Sequence, residues 1–335
     1  MKTSHFTLAV LTASLLCVGN VVGQDEKTTK SDDANTPAEL VAKAKTGDTE
    51  AMVNLGAMYY FGQGVIQDFK EAVKWFRKAA ELGDADAMVR LGYMSYFGEG
   101  VIQDYKEAVK WFRKAAELGS TVAMAELGTA YANGDGVAQD YKEAVKWFRK
   151  ATELGDADAM VGLGYMYANG KGVIQDDKEA AKWYRQAAEL GDADAMVRLG
   201  YMSYFGEGVI QDYMEAAKWH RKAAGLENVQ AMVRLGYLSY YGEGVIQDYK
   251  EAAKWHRQAA ELENVEAMAN LGYMYSSGKG VIKDFAEAYA WINVAAANSN
   301  KEATKLRDSL EKAMTPEQIA EGQQRSRKIM KTISP

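Results

Sequence analysis

The chain has 335 residues, 48% of them hydrophobic, and only 3 Pro, none between Pro37 and Pro316, so it is neither disordered nor collagen-like. Lys plus Arg number 40 against 46 Asp plus Glu, and the formal net charge of −6 excludes nucleic acid and anionic lipid as default partners.

In chain order, Lys2 precedes an uncharged run of 13 residues, Phe6 to Val18, followed by Val21-Val22-Gly23 and then by the charged Asp25-Glu26-Lys27. Residues 1–23 therefore read as a cleavable secretory signal peptide, cut after Gly23. The run is too short for a stable transmembrane helix, so the expectation is a periplasmic or secreted protein with no membrane insertion after cleavage. Cys17, the only cysteine, lies inside the run and invites a lipoprotein reading, but Leu15 and Leu16 stand where such a signal wants small residues. Its removal leaves neither a disulfide nor a thiol nucleophile. Residues 24–47 read as a leader, disordered from Gln24 to Thr36, that runs into an N-terminal cap.

From residue 48 the chain is periodic. All seven Trp stand 36 residues apart, from Trp75 through Trp111, Trp147, Trp183, Trp219 and Trp255 to Trp291. Leu-Gly pairs from Leu55 to Leu271 and a Gly-x-Gly-Val from Gly62 to Gly278 keep the same step. The spacing defines seven repeats: 48–83, 84–119, 120–155, 156–191, 192–227, 228–263 and 264–299. The first 22 residues of repeats two and five are identical.

Within repeat two, Ala87, Leu91, Met94 and Ser95 have the spacing of one helix face, and Ala108, Trp111, Phe112 and Ala115 that of a second, with Gly98-Glu99-Gly100 between them. Asp, Ser or Asn opens every repeat as an N-cap. Asp with Glu three residues later, from Asp68/Glu71 to Asp284/Glu287, forms a capping-box arrangement before each second helix. Gly83, Gly119, Gly155 and Gly191 suit the left-handed residue that closes a helix; Glu227 and Glu263 replace them, so those exits should be looser or differently turned. Two helices cannot bury their own apolar face, and the pattern predicts an all-α, right-handed α/α solenoid with Trp147 in its core. Helices from about Lys301 and from Thr315-Pro316-Glu317-Gln318 would form a C-terminal cap over residues 300–335.

The motif Ala87, Leu91, Gly92, Gly98, Gly100, Val101, Asp104, Ala108, Trp111, Ala115, Ala116, recurring in all seven repeats, resembles the Sel-one-like repeat (SLR) family, relatives of the tetratricopeptide repeat. The resemblance implies a non-enzymatic scaffold that binds protein partners, with bacterial secreted members implicated in envelope functions or host contact. A cysteine-rich branch of that family is associated with β-lactam binding and hydrolysis, which makes an envelope hydrolase or glycan-binding protein the alternative; the paired cysteines of that branch are missing here.

Chemistry finds little support in the residues. His220 and His256 are one repeat apart, and helices stacked about 8–10 Å apart keep them from sharing a zinc ion whose ligand nitrogens lie about 2 Å away. Both replace the aromatic residue that follows Trp elsewhere and read as packing positions. Gly164 to Gly170-Lys171 lacks the spacing and the Ser or Thr of a phosphate loop, and the usual hydrolase motifs do not occur. No catalytic, cofactor or metal residue is assigned.

A binding surface is easier to place. At 100° per residue Arg90, Tyr93 and Phe97 share one stripe of the first helix, set off from Leu91 and Met94. The same stripe recurs as Arg198, Tyr201 and Phe205, then Arg234, Tyr237 and Tyr241, on the wall expected to be concave. Arg and Tyr are residue types enriched at interaction hot spots. Glu126, Thr129, Asn133, Gly162 and Asn169 interrupt the ladder in repeats three and four. Lys106, Lys110, Arg113, Lys114 and Glu117 read as the solvated convex face of the second helix. The expected state is a monomer that binds a protein partner.

Overall fold

The computed structural model describes residues 36–298 and 300–333; the signal segment, Cys17 and the leader through residue 35 lie outside them. Among the described residues there are seventeen α-helices and no strand. A short α1 (Pro37–Lys45) precedes seven helix pairs. These are α2 (Thr49–Phe61) with α3 (Phe69–Glu81), α4 (Ala85–Phe97) with α5 (Tyr105–Glu117), α6 (Thr121–Asn133) with α7 (Tyr141–Glu153), and α8 (Ala157–Asn169) with α9 (Asp177–Glu189). They continue as α10 (Ala193–Phe205) with α11 (Tyr213–Gly225), α12 (Val229–Tyr241) with α13 (Tyr249–Glu261), and α14 (Val265–Ser277) with α15 (Phe285–Ala297). Two further helices, α16 (Lys301–Glu311) and α17 (Pro316–Ile333), follow. The chain forms two compact bodies that meet in sequence at Asp176 and Asp177, each a stack of helices of α-solenoid type.

Local chemistry explains the pairs. Each first helix opens on a side chain that accepts from the amide three residues on, as Asp84 does from Ala87 at 2.8 Å, Ser120 from Ala123 at 3.3 Å and Asn228 from Ala231 at 3.0 Å. The second helix is capped more firmly, since Asp104 accepts from both Lys106 and Glu107 at 2.9 and 3.1 Å. The returning arm of the expected capping box is not made. Instead the Asp104 amide donates to the Ser95 carbonyl at 2.8 Å, lashing the second helix to the last turn of the first, and the Glu107 carboxylate turns to Lys110 Nζ at 3.0 Å. The equivalent amides of Asp68, Asp140, Asp176, Asp212, Asp248 and Asp284 are tied in the same way. The Gln103 amide adds a bond to the Tyr96 carbonyl at 2.9 Å, and with Gln103 and Asp104 both turned back, Ile102 beside them is left in solvent.

Packing depends on the Leu-Gly pair. Leu55, Leu91, Leu127, Leu163, Leu199, Leu235 and Leu271 are buried, each contributing about 1.5–3 kcal/mol. The glycine that follows seats the ring after Trp, because a Cβ on Gly92 would stand 2.5 Å from Phe112 and one on Gly200 2.5 Å from His220. The core ring is therefore Phe76, Phe112 and Phe148, at 1–2% exposure, rather than the expected Trp147. Trp147 is half-buried, and Lys150 lies over its ring at 4.3 Å. The aliphatic stem of the lysine shields the indole while its charge stays in water.

The expectation of looser exits in repeats five and six is overturned. Glu227 and Glu263 adopt the same left-handed conformation as the glycines, with φ of 59° and 63°, and the same bonds: Glu227 to the Ala224 carbonyl at 3.0 Å and Asn228 to that of Ala223 at 3.1 Å. At the far end α17 packs along α15. Its capping box is complete, with Thr315 and Gln318 exchanging bonds of 3.0 and 3.3 Å, and Arg325 bridges Asp284 and Glu287 at 2.8 and 2.9 Å.

Candidate partner-binding surface

The nine residues expected to line the first-helix surface do not share one environment. In repeat two Tyr93 is not on the surface at all. It is 4% exposed, its ring stands edge-on to Phe112 at 5.4 Å, and its hydroxyl donates to Glu126 Oε1 at 2.8 Å. Arg90 is half-buried, 5.5 Å over the Phe76 ring of the preceding repeat, and burial pulls its pKa down. Phe97 is half-buried against Tyr96.

The second body presents the same stripe differently. Arg198 is exposed, and Phe205 and Tyr241 are each 60% exposed. Tyr201 and Tyr237 are half-buried: Tyr201 takes bonds from Gln230 and Arg234, and Tyr237 takes one from Asn270 at 3.0 Å and donates to Glu266 at 3.1 Å. Arg234 is held between the two rings, 4.9 Å from one and 5.7 Å from the other. It braces the wall, which leaves Arg198, Phe205 and Tyr241 as its accessible groups.

The interruption in repeat three is a buried carboxyl rather than a polar surface. Glu126 is 5% exposed, and burial pushes its pKa up to about 8 against the pull of the Tyr93 hydrogen bond, with Asp156 and Asp158 of the next repeat adding to the rise. It is held largely protonated at neutral pH. His220 and His256 are buried at 2%, edge-on to Tyr201 and Tyr237 at 5.5 and 5.4 Å, and desolvation lowers both pKa values to about 4. Neither buried Nδ1 has a hydrogen-bond partner. They fill ring positions. Among the described residues no group of His, Cys, Asp and Glu could hold a metal ion, and no helix is long and apolar enough to cross a membrane.

Sequence reasoning passed over a further row. Ile66, Ile102, Ile174, Ile210, Ile246 and Ile282 are 89–91% exposed, one per repeat beside the Gly-x-Gly-Val turn, with Ala138 in repeat three. The signal was present, because an apolar residue repeated inside a turn whose neighbours fold back has nothing to pack against. The second helices carry the expected charged face, tied up locally by Lys-Glu pairs such as Lys74–Glu71 at 2.6 Å and by lysines over Trp rings.

Helix pairs repeated seven times, five of them with a first-helix glycine seating the ring that follows Trp, define an α-helical repeat protein. The chain belongs to the Sel1 repeat family, whose model matches residues 49–84, 85–120, 121–156, 157–192, 193–228, 229–264 and 265–300. It is similar to a Sel1 repeat protein from Oxalobacter formigenes, with 33% identity over 82% of this chain and 80% of that one and a TM-score of 0.70. A protective antigen of uropathogenic Escherichia coli strains displaying an SLR fold shares 29% identity over 89% and 87% of the two chains, with a TM-score of 0.50. Yeast Tom70, at 17% identity over 82% of this chain and 58% of its own, with a TM-score of 0.50, shares the fold alone. No curated protein matches the chain. Sel1 repeat proteins typically mediate contacts between proteins.

Proposed function

We propose that this protein is a non-enzymatic interaction scaffold that works outside the cytoplasm and holds a protein partner on the first-helix surface of its second body. The observation that carries this reading is the pair Phe205 and Tyr241, each 60% exposed at the end of consecutive first helices, with the exposed Arg198 on the same stripe. Large aromatic side chains left this open at a repeated position, beside a cation, have the composition of an interaction hot spot. The extracytoplasmic setting is supported by the apolar run Phe6–Val18 behind Lys2.

The test is a pull-down from envelope and secreted fractions with the wild type beside an Arg198→Glu, Phe205→Ala, Tyr241→Ala variant. All three positions are exposed, so helicity should be unchanged, while the bound protein is lost. Retention of the same protein by the variant would move the site elsewhere. A parallel triple variant at Arg90, Tyr93 and Phe97 should damage folding first, since Tyr93 is buried.

A further inference from the structure

We propose that His220 and His256 make the first-helix surface of the second body acid-labile, so that it keeps its shape near neutral pH and opens in acid. This rests on the reading of that surface as the partner site and adds its regulation: a partner held in neutral surroundings is released in acidic ones.

The two imidazoles stand directly behind the surface. His220 fills the seat over Gly200, where a Cβ would lie 2.5 Å from its Cε1, and stands edge-on to Tyr201 at 5.5 Å; His256 fills the seat over Gly236 and stands edge-on to Tyr237 at 5.4 Å. Tyr201 and Tyr237 in turn hold Arg234 between their rings, at 4.9 and 5.7 Å. Four residues beyond them, on the same helix face, come the exposed Phe205 and Tyr241. A row of contacts thus ties each buried imidazole to the wall that carries an accessible ring.

Neither seat is built to take a second proton. Both rings are 2% exposed, and both Nδ1 atoms are buried without a hydrogen-bond partner. From α10 His220 faces the Tyr201 ring, and from α12 it feels Arg234, whose charge opposes another cation. On its own helix Lys218 and Arg221 are exposed, and Glu215 is paired with Lys218 at 3.3 Å. Around His256, α12 contributes Tyr237, while α14 contributes Asn270 and Glu266, both bonded to the Tyr237 hydroxyl at 3.0 and 3.1 Å. On the helix of His256, Arg257 is bonded to the Tyr275 hydroxyl, Glu251 turns to Trp255 Nε1 at 3.3 Å, and Lys254 is exposed. A proton on either ring is therefore a buried charge without compensation, and it is relieved when the ring leaves its seat for water.

The placement of the two residues is selective. The same seat holds Phe76, Phe112, Phe148, Tyr184 and Ile292 in the other repeats, none of which gains a proton in acid. Acid sensitivity of this kind is confined to repeats five and six, the two that carry Arg198, Phe205 and Tyr241. In the first body the buried Glu126 acts with the opposite sign, since its closed form is the one that keeps a proton. Burial holds both histidine pKa values at about 4, against 6.5 in water, so the opened form takes up the protons first. From pH 7 to pH 5 opening becomes about twentyfold more favourable for one imidazole, and several hundredfold, on the order of 500, where both leave together.

Hydrogen exchange of the purified full chain at pH 7 and pH 5, read by mass spectrometry and corrected for the intrinsic pH dependence of exchange, tests the opening. In the wild type, protection of α10 to α13 should fall at least about tenfold more than that of α4 to α7. A His220→Phe, His256→Phe variant, whose rings copy Phe76, Phe112 and Phe148, should lose this difference, and each single substitution should keep about half of it on a logarithmic scale. Equal changes in the two bodies, or an acid loss that the double variant retains, overturn the proposal. The regulation is read on the protein that the wild type retains from envelope and secreted fractions at pH 7 and the Arg198→Glu, Phe205→Ala, Tyr241→Ala variant does not. A wash at pH 5 should release it from the wild type and leave it on the double histidine variant; release from both overturns the regulation. If no such protein is retained at pH 7, the partner reading fails, and the exchange experiment still decides whether acid opens the surface.

Discussion

Repeats two and five share the 22 residues from Asp84 to Tyr105 and from Asp192 to Tyr213, yet the same side chains meet different surroundings. Tyr93 is sealed and Tyr201 half-open; Phe97 is half-buried and Phe205 is 60% exposed; Arg90 lies over a ring and Arg198 is in solvent. The cause is in the neighbours. Repeat three offers Glu126 to the Tyr93 hydroxyl, while repeat six offers Arg234 to Tyr201, and Phe76 lies beneath Arg90. Other contacts reach as far, since Tyr96 bonds to Asp135 and Tyr204 to Glu243, each 39 residues on. In a stacked array a surface is determined one repeat away from the residues that form it.

The comparison is sharpened most by the ring seat that both repeats share. Phe112→Ala, which empties a site 2% exposed, should cost about 3–5 kcal/mol in denaturant unfolding followed by helicity. Trp147→Ala, at a half-buried ring, should cost clearly less. Equal losses would return Trp to the centre of the core.

Glu126 comes next, because it is what makes repeat two differ from repeat five. Its native pKa of about 8 lies above the ordinary 4.5, so between those values the unfolded chain loses a proton that the folded chain keeps. Native protein then binds more protons, and stability falls as pH rises from about 4.5 to about 8, then levels off. Glu126→Gln keeps an acceptor for Tyr93 without the ionisation. It should match the wild type near pH 4 and exceed it by roughly 2–4 kcal/mol at pH 8. A wild-type curve no steeper than that of the variant would remove the buried-acid explanation of the difference.

The histidines carry the opposite sign. His220 and His256 have native pKa values of about 4 against 6.5 when unfolded, so the unfolded chain takes up protons first and stability is lost as pH falls from 6.5 towards 4. Replacing both with Phe, as at Phe76, Phe112 and Phe148, removes that loss and the unpartnered Nδ1 atoms. The gain should be roughly 1–3 kcal/mol per site, largest in acid, in melts compared at pH 5 and pH 7. A gain that did not change with pH would mean that the imidazoles are not held neutral by burial.

How much of this was legible in the sequence follows from range. The period, the helix pairs, the Asp caps and the glycine turns depend on interactions within a few residues, and each is visible as a spacing. The missing capping-box arm was not visible, because the Asp104 amide is taken by Ser95, on the other helix of the pair. Phe112 was overshadowed by the more conspicuous Trp111, and only the contact with Gly92 shows which of two adjacent rings is enclosed. The candidate surface was half legible. Its helical stripe was correct as geometry, but whether Tyr93 or Tyr201 remains accessible depends on residues 33 positions downstream whose packing no periodicity reports.

The smallest effect isolates backbone from packing in the same comparison. Gly119, which ends repeat two, and Glu227, which ends repeat five, share a left-handed turn with φ of 92° and 59°. A Cβ on Gly119 would meet nothing within 4 Å, so the difference between the two exits is conformational rather than steric. A residue with a Cβ costs about 1–2 kcal/mol in that region, and the greater freedom of unfolded glycine returns about 0.4–1 kcal/mol. Glu227→Gly should therefore stabilise by roughly 0.5–1 kcal/mol, and Gly119→Glu should destabilise by a similar amount, with no pH dependence. If Gly119→Glu costs much more than Glu227→Gly gains, repeat five compensates for its strained exit through contacts that repeat two does not make, and the two turns are equivalent in shape but not in energy.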